Sequence, residues 1–344
     1  GDGWFIALNV LHFVDLHVIG FINMLDTSLA MINISTQSIF IRMEHCLIEN
    51  GNQFVRLNSY GSSLISDSGI FLNVMVVNCT FSNLATFQSG SAISIYLQRK
   101  ETPLLLANIS LTNCSFLHLH ADTFGGGLYI DSEDMSVIPG GGIFVSINQS
   151  VFLDNSAGHL GGFLYFGQNL RVFILNCTFK LKSQKSVVDK GSFIFTKSEM
   201  NLTFVKFLVQ AEFEIMSLLH YLPSRNLNNY NGQVFTNVSI QCPMWLYYVS
   251  DVSVVTGSVI SYINLQCKSC RPKFCYPHIS KFSIFYIEIS RSNHLTTKNE
   301  SGTNLKCEKC PYGAHCRDGS VYPLPGYWGI MDKKAAIFYQ CPTG

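Results

Sequence analysis

Four stretches of this sequence bring together side chains that could do chemistry. "HLHAD" (118–122) spaces His118, His120 and Asp122 two residues apart. An extended strand would turn all three to one face, and two imidazoles and a carboxylate could then hold a metal. Surface or turn histidines are commoner, and that reading is preferred. "DSEDM" (131–135) gathers Asp131, Glu133 and Asp134. A glycosidase needs two carboxylates across one cleft, and a polysaccharide lyase needs a carboxylate-lined calcium site with a base. The cluster has no repeated partner elsewhere, so a solvated turn is the preferred reading. Lys100, Lys182 and Lys185 are scattered and converge with no acid. No G-x-S-x-G, P-loop or dinucleotide fingerprint is present.

The third stretch is cysteine-rich. Eight of the twelve cysteines fall between Cys242 and Cys341: Cys242, Cys267, Cys270, Cys275, Cys307, Cys310, Cys316 and Cys341. Two C-x-x-C pairs could bind zinc, but nine N-x-S/T sequons point to an oxidising compartment, where thiols become disulfides. All eight are disulfide candidates. No cofactor is expected. The net charge of +1 and the lack of a dense Lys/Arg run give no electrostatic case for nucleic acid.

The fourth stretch is repeated. "NCTF" occurs at 78–81 and 176–179, and "NCSF" at 113–116. Aligning the chain on the phenylalanine puts Phe81, Phe116, Phe152, Phe179 and Phe204 in one column, with Ile48 as an earlier, weaker copy. Glycine-led apolar runs follow several copies: "SGSAISIYL", "FGGGLYI", "LGGFLYF" and "KGSFIF". Charged residues are only 13% and Phe, Gly and Tyr are abundant, which favours strands and turns. Each copy holds short strands that cannot bury an apolar face alone, so the copies must stack. The expected fold is all-β: a parallel β-helix with a small C-terminal disulfide-rich module. Residues 1–290 form the β-helix, with a Cys-containing insertion at about 266–278; "RSNHLTTKNESGTN" (291–304) is a linker, and 305–344 is the module. That module has too few apolar residues for its own core, so crosslinks must hold it.

Stacking assigns each residue of the motif a job. Cys is a small inward residue, Phe is the next inward position, stacked on Phe above and below, and Asn marks the bend. Cys46, Cys79 and Cys114 fall in successive coils, at a spacing where a disulfide is possible. Ser150 separates Cys114 from Cys177, about 9.6 Å apart at two strand spacings, so Cys177 should be a buried free thiol. Asn78, Asn113, Asn176 and Asn201 could then be ladder residues instead of glycan acceptors. Asn299 and Asn237 are the better acceptor candidates, followed by Asn33.

The F-x-x-N and Gly-Gly-apolar rhythm, best seen in "FLDNSAGHLGGFLYF" (152–166), resembles the right-handed parallel β-helix of pectin-lyase-like proteins. More narrowly it resembles the repeats of polymorphic outer-membrane proteins and their eukaryotic relatives. "CEKCPYGAHC" is similar to EGF-like and ephrin-receptor-like modules. The continuation "PLPGYWG…FYQCPTG" looks like a segment of large cell-surface proteins in which membrane spans often follow. The resemblance implies a non-enzymatic extracellular fragment of a membrane-anchored cell-surface protein, secreted or displayed on the cell's outer face. Its elongated surface would serve adhesion or recognition of an extracellular protein or glycan. The alternative is a carbohydrate-active or carbohydrate-binding relative. Any membrane contact would come through segments outside this fragment.

Overall fold

The fold is that of a computed structural model. It describes residues 4–5, 10–19, 32–34, 38–52, 55–59, 70–97, 105–132, 142–182, 192–210, 215–221, 234–243, 246–255, 259–269, 274–275, 282–289, 295–299, 308–317, 320–332 and 335–341. Among these there is no helix, and the chain is a parallel β-solenoid. One coil illustrates the path. Strand Leu105–Thr112 ends at a bend on Asn113, and a short strand, Ser115–Leu117, ends at a second bend on His118. His120–Ala121 follows, the chain turns at Gly125, and Leu128–Ser132 completes the coil. Each segment pairs in parallel with its counterparts one coil before and one coil after.

The alternation of apolar residues fixes which side faces in. Strand Leu170–Leu175 alternates strictly between buried and exposed. Ile41, Val74, Ile109, Val145, Val172 and Met200 stack in one buried column along the larger sheet. Ile93, Leu128, Leu164, Ile194 and Leu219 form the matching column of the smaller sheet. Glycine is required at the corner. Gly125 sits at φ 59°, and a Cβ there would lie 2.2 Å from the Leu128 carbonyl oxygen.

The parallel stack then changes character. Strand Val234–Pro243 pairs in parallel with Glu199–Thr203 and Lys206–Val209, but antiparallel with Phe282–Ile289. Ile215–Tyr221 likewise meets Val259–Ser269 antiparallel, and Leu246–Val255 extends that hairpin. The stretch expected as a Cys-containing insertion from about 266 therefore begins inside a strand. The polar segment expected as a linker contributes Leu295–Asn299, paired antiparallel with Phe282–Ile289. A polar sequence can form such a strand because the antiparallel backbone ladder is open to any residue with a free N–H and C=O. Beyond this lie two small hairpins, Ala314–Arg317 with Ser320–Pro323 and Tyr327–Asp332 with Ala335–Gln340.

Cys242 and Cys267 form a disulfide with Cα atoms 5.8 Å apart. Both are fully buried, and they tie the larger sheet to the smaller one where parallel pairing gives way to antiparallel. Cys310 is also disulfide-bonded. Cys341 departs from the sequence expectation: it is exposed and free at the end of the last hairpin, where its N–H donates to the Gly326 carbonyl. Spacing along the chain made it a candidate, but the turn leaves its thiol facing solvent. The side chains of Cys270, Cys275, Cys307 and Cys316 lie outside the described residues.

Candidate functional site

The repeated motif becomes two columns at one bend. Asp15, His45, Asn78, Asn113, Gln149, Asn176, Phe204 and Asn237 all take positive φ, between 50° and 54°. Asparagine predominates because its short polar side chain tolerates this left-handed region. From Asp15 to Phe204 each bend N–H reaches the next coil, as in Asn113 to the Asn148 carbonyl at 3.0 Å. Side chains can add to the ladder: Asn113 Nδ2 donates to Asn78 Oδ1 at 2.7 Å.

One residue on, the chain points inward at Cys46, Cys79, Cys114, Ser150 and Cys177, all buried. These side chains do more than fill space. The Cys46 N–H donates to Cys79 Sγ at 3.4 Å, Cys114 N–H to Ser150 Oγ at 3.1 Å, and Ser150 N–H to Cys177 Sγ at 3.5 Å. In return, Cys79, Cys114, Ser150 and Cys177 each donate to the carbonyl two residues earlier, at 2.9 to 3.3 Å. From Cys46 to Cys177 the column holds small side chains that both accept and donate, which explains why serine can replace cysteine there. Cys46, Cys79, Cys114 and Cys177 are free thiols. Burial pushes the Cys79 thiol up to about 12 and those of Cys114 and Cys177 to about 11, so they are not nucleophiles near neutral pH.

Two residues further in lies the aromatic column. Phe81, Phe116, Phe152, Phe179 and Phe207 stack with centroids 4.7 to 5.3 Å apart. This corrects the alignment of the last copy. Phe179 pairs with Phe207, not Phe204. Phe204 occupies the bend, Val205 takes the cysteine slot, and Asn201 lies on the preceding strand opposite Phe173. "NLTF" imitates the motif, but "FVKF" is what the coil reads, because only Phe207 has the inward phase after the bend.

The "HLHAD" stretch is divided by the second bend. His118 holds the positive-φ position at 54°, so strand alternation does not carry across it to His120. His120 Nε2 lies 2.9 Å from Asp122 Oδ1, and Nδ1 lies 2.8 Å from Ser156 Oγ on the next coil. An ionised Asp122 can only accept, which places the imidazole proton on Nε2 and leaves Nδ1 to accept from the Ser156 hydroxyl. The order Ser156–His120–Asp122 is that of an activated hydroxyl. An acyl-transfer centre would also need N–H donors for an oxyanion. The N–H groups of Ser156, Gly158 and His159 donate to Leu119, Ala121 and Thr123 instead, and Ser156 is only 8% exposed. The chain of bonds thus ties two coils together. Among the described residues, no three His, Cys, Asp or Glu side chains converge as metal ligands.

Asp131 is not in a solvated turn. It lies within strand Leu128–Ser132, opposite Tyr96. Its Oδ1 accepts from the Ser132 N–H at 2.9 Å and the Gln168 N–H at 3.3 Å, and its Oδ2 from the Tyr129 hydroxyl at 3.2 Å. A Cβ on Gly167 would fall 1.5 Å from Oδ1, so glycine is what lets the carboxylate reach the neighbouring coil. Burial raises the Asp131 carboxyl above its ordinary range, against the opposing pull of these N–H bonds and Lys197. Burial also raises the Tyr129 hydroxyl, helped by the adjacent Asp131 charge. Tyr129 stacks on Tyr165 at 5.1 Å, and Tyr165 on Phe195 at 5.3 Å. Sequence reasoning missed this site because an acidic run normally marks a loop, and only the coil register puts Gly167 beside Asp131. Glu133 and Asp134 lie outside the described residues, as do the side chains of Asn33 and Asn299.

No family model, no curated protein and no solved structure matches this chain.

Proposed function

We propose that this chain is the extracellular part of a cell-surface protein. Its solenoid would be right-handed and pectin-lyase-like, with repeats of the polymorphic outer-membrane type and a C-terminal EGF-like or ephrin-receptor-like module. In this reading the solenoid is a rigid rod whose outward positions recognise another extracellular protein or a glycan, and the chain is not an enzyme. The observation that carries the reading is the buried Cys242–Cys267 disulfide, a crosslink that belongs to an oxidising compartment. The contrast between fixed inner columns and freely varied outer ones supports a display role. The test has two parts. Non-reducing peptide mapping of secreted protein is expected to return the Cys242–Cys267 pair with Cys177 free. Beads coated with the same protein are expected to bind cells or an arrayed glycan. Cytosolic protein that folds with all cysteines reduced, or coated beads that bind neither, would reject it.

A second reading rests on Asp131, whose raised carboxyl suits a general acid on a carbohydrate-active surface. It predicts depolymerisation of some acidic or neutral polysaccharide that is lost in Asp131→Asn. Equal turnover by both proteins, or none by either, would remove it.

A further inference from the structure

The bend sorts the sequons by what their side chains already do. Asn148 lies one residue before the bend, and its Oδ1 is buried. Asn78 and Asn113 are exposed at the bend but bonded to each other across one coil, so a sugar on each would compete for one space. Asn176 and Asn237 are also exposed at the bend, at φ 52°, each followed by the hydroxyl residue a transferase requires, Thr178 and Ser239. They are two coils apart, about 9.6 Å at the strand spacing, which leaves room for a sugar on each.

Phe204 fills the slot between them. It holds φ 53° and is 52% exposed. A left-handed conformation is strained for a residue with a bulky side chain, and burial does not offset that strain here. The other described members of this column are Asn, Asp, His or Gln. A pyranose ring has one face lined with C–H groups, and that face packs flat on an aromatic ring.

We propose that Asn176 and Asn237 are N-glycosylated and that Phe204 is the platform on which the first sugar of one of these glycans rests. The proposal deepens the extracellular reading and rests on it. In the transfer step, the Asn Nδ2 forms a bond to C1 of the oligosaccharide, and the C1–O bond to a lipid pyrophosphate donor breaks. The lipid pyrophosphate leaves with the electron pair, and one amide proton passes to base.

The experiment uses the full chain secreted from a eukaryotic cell. Site mapping by enzymatic deglycosylation in heavy-oxygen water is expected to label Asn176 and Asn237, leave Asn148 unlabelled, and label at most one of Asn78 and Asn113 per molecule. Thr178→Ala keeps the bend asparagine and should abolish the label at Asn176 alone. Phe204→Asn should lower the melting temperature of the glycosylated protein, and leave unchanged or raise that of a Thr178→Ala, Ser239→Ala background that carries neither sugar. Unmodified Asn176 and Asn237 with sugar on Asn33 or Asn299 would overturn the proposal while sparing the extracellular reading. Absence of sugar from all nine sequons would overturn both. A Phe204→Asn effect that is the same with and without the sugars would overturn the platform.

Discussion

Two adjacent coils follow the same path with different sequences. One reads Asn176, Cys177, Thr178, Phe179; the next reads Phe204, Val205, Lys206, Phe207. The inward aromatic is kept, with rings 5.3 Å apart. The thiol that bonds its neighbours becomes a simple apolar Val205, and the bend changes from Asn to Phe. The interior of the solenoid therefore specifies volume and phase, while the bend specifies only a residue that can be held at positive φ. A phenylalanine can serve either position, so residue type alone does not set the register.

The largest expected effect tests that distinction directly. Phe179→Ala or Phe207→Ala should each cost about 3–5 kcal/mol, as for other fully buried aromatics. Phe204→Ala should cost far less, since its ring is half exposed. Denaturant unfolding of the three variants would show it, and equal losses would mean that the two coils are misaligned. Next in size is the crosslink where the stack turns antiparallel. Cys242 lies two residues beyond Ile240, which continues the aromatic column from Phe207. Removing the 25-residue link to Cys267 should lower stability by about 3 kcal/mol, read as a shift of the unfolding midpoint under reductant.

The thiol column gives a smaller effect. Cys79→Val leaves the Cys46 N–H without its acceptor and should cost about 1–3 kcal/mol, whereas Cys79→Ser keeps a donor and acceptor and should cost less. If valine is as good as serine, the thiol ladder contributes nothing and Val205 is the rule instead of the exception. Thiol labelling of native protein at pH 8 should modify Cys341 first and spare Cys79, Cys114 and Cys177.

The smallest effect concerns Asp131. Its carboxyl titrates higher in the folded chain than the ordinary 3.8, so the folded state holds the proton more tightly. Stability is thus greatest below the unfolded value, falls as pH rises through the window up to the folded value, and is flat above it. Asp131→Asn should remove that slope. Unfolding followed from pH 3 to 7 would detect it. A slope of opposite sign would show that the N–H bonds outweigh burial.

Much of this was legible in the sequence. The recurrence of Asn, Cys and Phe at fixed offsets, with apolar alternation on both sides, determined that short strands stack in parallel with Cys inward, Phe on Phe and Asn at the bend. The spacing also required Cys177 to be a free thiol, with Ser150 between it and Cys114. These features follow from local periodicity, and stacking identical units repeats local preference in every coil. Tertiary structure alone decided which of two phenylalanines entered the core, because inward phase depends on where the bend falls against the previous coil. It likewise drew Asp131 out of an apparent loop to meet Gln168 and Gly167, split His118 from His120, and joined His120 to Ser156. Those contacts link residues one coil apart, and the variable loops between coils erase any fixed spacing along the chain from which they could be read.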